Sequence, residues 1–364
     1  MSTSTRERLH PDVFRLPVDK IRDGHYSDAY FTHARALLEA EDHHPSVLMQ
    51  VFQREASILG GIDEAIAILR QCTGRYRPDG EWQDGWAEVE VRALHEGAAL
   101  SPWETVMTVE GDYALFAHLE TVYLGCLARR TLIMRNVREV VDAARGKPIL
   151  YFPARHDHWL VQTGDGWAAH VAGAIGVSTD AQASWWGGRG VGTVPHALIA
   201  AYGGDTVAAA RAFARHFAAT MRITVLVDYE NDSVRTALDV ADALGKDLWG
   251  VRLDTSDKLA DRGLVEQVGE DAPHGVAPEL VRLVRDELDG AGHQHVRLVA
   301  SGGFNAQRIR EFEAVGVPVD AYGVGSALIR GKNDFTADIV LYEGRPCAKV
   351  GREHRPNDRL ELVT

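Results

Sequence analysis

Residues 296–329 constrain this chain more than any other stretch, and they read VRLVASGGFNAQRIREFEAVGVPVDAYGVGSALI. The apolar run 296–300 predicts a buried strand that passes into Ser301-Gly302-Gly303, with a helix starting near Asn305. A second apolar strand, 319–322, passes into Gly323-Val324-Gly325-Ser326 and a further helix. The two glycine-rich corners are one helix and one strand apart, so two adjacent strand ends deliver glycines and free N–H groups to one place. Glycine lets the backbone approach an anion, and a following helix N-terminus adds unpaired donors and a positive dipole end. In an α/β barrel the last two strand–loop–helix units commonly seat a phosphate. One such corner would need its glycines only for turn geometry. The tandem pair points to a phosphate site.

The rest of the second half follows the same pattern of strand, loop and helix. Residues 149–153 lead into Ala154-Arg155-His156-Asp157-His158, 223–227 into Asp228-Tyr229-Glu230, and 248–253 into Asp254-Thr255-Ser256-Asp257-Lys258. Five apolar strands thus carry charged or glycine-rich residues at their C-terminal ends, the face on which parallel barrels build active sites. The first half reads differently. A helix over 32–41 with Ser27 or Asp28 as its cap, a strand over 46–53 and a helix over 62–72 precede short antiparallel strands in 86–109. Residues 112–130 then give a helical period in Leu115, Leu119, Val122, Tyr123 and Cys126. The tail, 336–364, returns to strand-like alternation and is expected to rejoin the first domain. The fold expected is α/β, an incomplete TIM-like barrel over residues 131–335, with an α+β domain over 1–130 that the tail 336–364 completes.

Charge bounds the partners. A net charge of −13 argues against nucleic acid or a membrane surface, both of which reward clustered Lys and Arg. The opening MSTSTRERLHPD has no apolar signal core, and no run approaches the length of a membrane span, so a cytoplasmic protein acting on small molecules is expected. Cys72, Cys126 and Cys347 show no metal-type spacing and read as free thiols.

Three further segments carry candidate chemistry. Arg252 and Asp254 share one side of a strand end. They suit either a structural ion pair, or a carboxylate for Mg²⁺ or ribose hydroxyls beside an arginine for phosphate or carboxylate. His196 follows Gly192-Thr193-Val194-Pro195, and Trp185-Trp186-Gly187-Gly188-Arg189-Gly190 before it reads as a packed aromatic pair or as a lid. His156 and His158 are spaced to share a metal on a strand, but no third ligand is convincingly spaced, so a metal-free loop is expected. Tyr26 and Tyr30 near a helix start suit packing or stacking on a flat ligand.

These segments together resemble the nicotinate phosphoribosyltransferases. Residues 301–326 are similar to the family's paired phosphate loops, and 250–257 (GVRLDTSD) to its Gly-Val-Arg-Leu-Asp-Ser-Gly-Asp segment, with Thr255 and Ser256 replacing Ser and Gly. Gly192 to His196 is similar to its Gly-Thr-x-x-His element, whose histidine is phosphorylated in members that couple ATP hydrolysis to synthesis. Tyr26 to Tyr30 resembles an N-terminal element whose aromatics approach the nicotinate ring, often from the neighbouring subunit. Arg155 stands in a loose match to a paired-arginine segment.

The resemblance implies the type II phosphoribosyltransferase fold and transfer of ribose 5-phosphate from phosphoribosyl pyrophosphate to nicotinate. It implies Ser301, Gly302, Gly303, Gly323, Gly325 and Ser326 at the phosphate, and Asp254 at ribose hydroxyls or Mg²⁺. It further implies Arg155 or Arg252 at the pyrophosphate or nicotinate carboxylate, and Tyr26, Tyr30 and Thr193 at substrate. His196, Asp254 and Arg252 form the catalytic set, in a homodimer or larger assembly, with ATP as an optional co-substrate. Some members carry a C-terminal cysteine cluster resembling a zinc site; with only Cys347 there, no zinc is expected. Nicotinamide and quinolinate stay open as substrates, and a non-catalytic nucleotide sensor as a reading of another class. A phosphate-binding lyase or aldolase would need a lysine at a strand end, and none stands within these apolar strands.

Overall fold

Parallel strands covered on both faces require near-continuous apolar runs, and the second half of the chain supplies them. In the computed structural model, which describes residues 7–364, the chain divides into two compact units. One is Asn136–Arg330; the other joins the residues up to Arg135 with Gly331–Thr364. Half of the polar opening read above, residues 1–6, lies outside the described residues.

Within Asn136–Arg330, six strands form one parallel sheet in the order Ile223–Leu226, Leu248–Leu253, Arg297–Ala300, Ala321–Val324, Ile149–Tyr151 and Gly176–Val177. Five of these were legible; the two-residue strand Gly176–Val177 is new. The sheet nearly closes on itself. The Val191 N–H donates to the Val177 carbonyl at 2.7 Å on one edge, and the Val194 N–H to the Thr224 carbonyl at 2.8 Å on the other. Residues 191–194 therefore bridge the two edge strands, giving the incomplete barrel and carrying Gly192 and Thr193 past its rim. Val225, Val251, Leu253, Leu298, Val299 and Val324 are buried in this sheet. Helices cover it with apolar faces: Leu280, Val281, Val284 and Leu288 of Pro278–Gly290 are buried, as are Ile309 and Phe312 of Ala306–Ala314.

The other unit is α+β. Its antiparallel sheet runs Arg345–Pro346, Thr336–Tyr342, Ser46–Phe52, Thr105–Asp112, Val89–Ala93, Glu361–Leu362, so three strands of the tail rejoin it. The tail's residues 347–350 are not strand. The helix Ile62–Cys72 packs into the core with Val51, Val91, Met107 and Leu127. Three local expectations shift. The helix expected over 32–41 spans Ala29–Ala40, and Asp28 occupies its N-cap position without a side-chain cap bond, accepting instead from Thr121 Oγ1 at 2.9 Å. The helix read over 112–130 spans Glu120–Ala143, after 3₁₀ turns at Tyr113–Leu115 and Ala117–Leu119, and Arg130 inside it is a buried partner of Glu64, Nε to Oε2 at 2.9 Å. The helix expected after Ser326 is a single 3₁₀ turn, Ser326–Ile329, with Gly331 at φ +97° soon after it.

Candidate active site

A cleft of about 600 Å³ opens at the C-terminal ends of the barrel strands, lined wholly by residues of Asn136–Arg330. At its base, the period of two places Arg252 and Asp254 together, with Nη2 and Oδ1 3.4 Å apart. Ser301, at the end of the neighbouring strand, stands between them. Its hydroxyl accepts from Arg252 Nε at 2.7 Å and donates to Asp254 Oδ1 at 2.7 Å, with the Leu253 carbonyl at 3.0 Å as the alternative acceptor. Ser301 is buried, so this node is rigid, and its hydroxyl is already committed to protein groups. The Arg252 guanidinium also lies 5.0 Å over the Phe152 ring.

The two glycine corners meet in the same cleft, where Ser301, Gly302, Gly303, Gly323, Gly325 and Ser326 all contribute lining. Gly302 and Gly303 have φ of +86° and +73°, a left-handed conformation that only glycine adopts readily. Gly323 is required for another reason, since a Cβ there would lie 2.7 Å from the Phe152 ring. At Gly325 a Cβ would come within 3.0 Å of the His156 ring. Asn305 caps the following helix by accepting from the Arg308 N–H at 2.9 Å.

His196, which also lines the cleft, begins the short helix His196–Ala201. Its Nε2 pairs with Oδ1 of Asp228, a nearly buried carboxylate, at 2.9 Å. That hydrogen bond raises the imidazole pKa above its ordinary value, the charges of Asp228 and Asp254 add to the rise, and burial and Arg252 oppose it. Thr193 lines the cleft beside it. Arg155 and His156 also line the cleft; burial, followed by the Arg155 cation, lowers the His156 pKa and favours its neutral ring. His158 does not join His156: its Nδ1 accepts from the Leu160 N–H at 3.2 Å and caps the next turn.

Tyr26 and Tyr30 belong to the other unit and do not line this cleft; they are 46% and 63% exposed. Arg189 and Lys258 do not line it either. Trp186, considered above as part of a lid, stacks on His170 at 4.4 Å between centroids. Sequence reasoning missed Phe152, Thr179 and Phe304 as lining residues and Asp228 as the partner of His196. Asp228 had the same signal as Asp254, an acid directly after an apolar strand.

Among the described residues no three His, Cys, Asp or Glu side chains converge as a metal cage. The contacts of the Asp254 carboxylate with Ser301 and Arg252 both fall on Oδ1, leaving Oδ2 for a ligand. One carboxylate oxygen completed by substrate phosphates is the usual protein contribution to bound Mg²⁺, so this donor set fits that ion.

Comparison with known proteins bears on the fold and the family. Residues 28–131 match the family model of the quinolinate phosphoribosyl transferase N-terminal domain. The structure of a nicotinate-nucleotide pyrophosphorylase from Pyrococcus furiosus superposes with a TM-score of 0.78 at 31% identity, over 96% of this chain and 86% of that one. The chain belongs to the nicotinate phosphoribosyltransferase family. Two curated members from Mycobacterium tuberculosis, nicotinate phosphoribosyltransferases pncB1 and pncB2, are 31% and 29% identical over 75% and 70% of this chain. The chain spans 58% and 52% of their lengths. The human nicotinic acid phosphoribosyltransferase, 18% identical, shares the fold with a TM-score of 0.65 over 91% of this chain and 77% of that one.

Proposed function

We propose that this chain transfers ribose 5-phosphate from phosphoribosyl pyrophosphate to nicotinate, releasing nicotinate mononucleotide and pyrophosphate. The observation that carries this reading is the convergence of both glycine corners with the Arg252–Ser301–Asp254 node in one cleft. The reaction forms a bond from the pyridine nitrogen to the ribose anomeric carbon and breaks the bond from that carbon to the pyrophosphate oxygen. The pyridine lone pair is already free, so no base is required. The protein must position the two reactants and stabilise the charge that develops on the ribose and on the leaving group. Backbone N–H groups at Gly302, Gly303, Gly323 and Gly325 hold the 5-phosphate. Asp254 holds the ribose hydroxyls and would hold Mg²⁺, which would neutralise pyrophosphate charge. Arg252 faces the leaving group.

Nicotinate is favoured over quinolinate by the cation count. Quinolinate carries two ring carboxylates besides the donor's phosphates, yet Arg155 and Arg252 are the only Lys or Arg lining the cleft among the described residues. Arg252 is engaged by Ser301 and Asp254, which leaves Arg155 for one carboxylate. The same cation favours nicotinate over the neutral nicotinamide. The names carried by the mycobacterial relatives support this choice. A mere nucleotide sensor would not need the node that holds Asp254 beside the leaving group. ATP coupling through His196 belongs to this reading, as does a homodimer in the cytoplasm in which the exposed Tyr26 or Tyr30 approaches a neighbour's cleft.

Pyrophosphate release measured with nicotinate, nicotinamide and quinolinate side by side tests the assignment. Nicotinate should give the highest kcat/KM. A higher value with quinolinate would overturn the substrate assignment, and no release with any of the three would overturn the transferase reading.

A further inference from the structure

We infer that Arg308 is a positioning residue for the phosphate corner: it fixes the peptide between Gly302 and Gly303 so that the Gly303 N–H faces the bound phosphate. The inference rests on reading the cleft as a phosphate site, but not on which base is the acceptor. Arg308 lies in the first turn of Ala306–Ala314, behind the corner. Its Nη1 donates to the Gly302 carbonyl at 2.9 Å and its Nη2 to the Val276 carbonyl at 2.8 Å. The guanidinium lies 4.5 Å over the Phe304 ring and 5.8 Å over that of Phe312, which restrict its rotation. Arg308 does not line the cleft. It lines a separate groove with Asn305 and Phe312.

The direction of the Gly303 N–H follows from peptide geometry. No described peptide bond is cis, and in a planar trans peptide the C=O and the following N–H point in opposite directions. A Gly302 carbonyl turned back to Arg308 therefore turns the Gly303 N–H forward, towards the cleft that Gly302 and Gly303 line. Left to themselves, two consecutive glycines populate either sign of φ with little preference. The same peptide could then flip and present a carbonyl oxygen to the anion, which repels it. A charge-assisted donor on the carbonyl is the stronger kind of hydrogen bond, and its positive charge behind the corner adds to the attraction for phosphate. Val276, held by the other arm of the fork, supplies the fixed point on a second loop.

The test uses the full chain, with inorganic phosphate and ribose 5-phosphate as probes. Arg308→Met should weaken ribose 5-phosphate roughly tenfold and raise KM for phosphoribosyl pyrophosphate similarly, leaving kcat at saturating donor nearly unchanged. Arg308→Lys, which keeps the charge and one donor, should recover part of the loss. In the wild type, the Gly303 amide resonance should move on addition of inorganic phosphate, and this measurement is independent of whether a variant folds. A Gly303 amide that ignores phosphate would overturn the inference. So would a folded Arg308→Met protein with wild-type affinity for ribose 5-phosphate. A wild type that binds phosphate through Gly303 but turns over no pyridine substrate would instead sink the transferase reading and leave Arg308 in place.

Discussion

The Nε2 atom of His196 lies 2.9 Å from Oδ1 of Asp228, and the carboxylate is nearly buried while the ring is half-exposed. In the neutral ring, a buried acceptor facing Nε2 fixes the tautomer: the proton is on Nε2 and the lone pair on Nδ1. That is the arrangement an imidazole needs to accept a phosphoryl group on Nδ1, and the proposed coupling to ATP depends on it. His196→Asn should abolish stimulation by ATP and keep residual transfer to nicotinate. If ATP stimulates wild type and variant equally, phosphoryl transfer to His196 is excluded.

The same pair has a signature in stability. Because the hydrogen bond to Asp228 raises the folded pKa of His196, its stabilisation is complete below the ordinary imidazole value of about 6.5 and is lost as pH rises through the folded value. Asp228→Asn removes the largest cause of the shift. The melting temperature of the variant should approach that of wild type as pH climbs past neutrality and fall away from it below pH about 6. Parallel curves across that range would mean the ring does not titrate against Asp228.

Gly303→Val and Gly325→Val should both lose phosphate affinity, by different routes. Gly303 has φ +73°, so any side chain there strains the backbone, at about 1–2 kcal/mol, and turns the corner's N–H groups away. Gly325 has φ −107°, and its substitution meets the His156 ring, 3.0 Å from the new Cβ, and the Phe152 carbonyl at 3.8 Å. Melting temperature should therefore fall more for Gly303→Val, while nicotinate mononucleotide binding, followed by calorimetry, falls in both. Wild-type affinity in both would remove the phosphate-site assignment.

The glycine corners were legible because glycine pairs directly after apolar runs have few structural meanings. Arg252 and Asp254 were legible for a related reason, since a period of two puts them on one side of a strand whatever the surroundings. What the sequence hid was set by tertiary contact. Gly176–Val177 is too short to show a period, and 191–194 is extended only because it reaches two strand edges at once. The helical period reads as ending near Arg130, whereas Arg130 pairs inside the core with Glu64, far away in sequence, and the helix runs on to Ala143. Phe152 gave no sign that its ring would fill the space left by Gly323 and lie beneath Arg252.

His118, fully buried and edge-on to Trp82 in the α+β unit, should dominate acid sensitivity. Burial, helped by the Arg35 cation, pushes its pKa down to about 3. The folded ring therefore stays neutral while the unfolded ring takes a proton. Its contribution is present above the unfolded value of 6.5 and is lost as pH falls towards 3, at up to about 1.4 kcal/mol per pH unit. Denaturant titrations between pH 7 and about 4 should show a shallower loss for His118→Leu than for wild type. Equal slopes would assign the acid limb to other groups.

The last prediction concerns the node at the base of the cleft. Arg252 and Asp254 are close enough to attract, yet their nearest charged atoms are 3.4 Å apart with the Ser301 hydroxyl bonded to both. Without that hydroxyl, the carboxylate and guanidinium are free to close into a direct bidentate pair. Both would then be withdrawn from the substrate. Ser301→Ala should accordingly lower kcat by about tenfold while the melting temperature holds or rises, because a tighter ion pair replaces the lost hydrogen bonds. Asp254→Asn should lower kcat further, by about a hundredfold, with little change in melting temperature, since its role is to stabilise charge in the transition state. The two substitutions should not add. Once Asp254 has lost its charge there is no pair to collapse, so Ser301→Ala in the Asp254→Asn background should change kcat by less than about twofold. A double-mutant cycle in steady-state kinetics, with melting curves for each variant, measures this. Full additivity, or an Asp254→Asn protein that loses stability and keeps activity per folded molecule, would make the node a structural ion pair at the barrel rim.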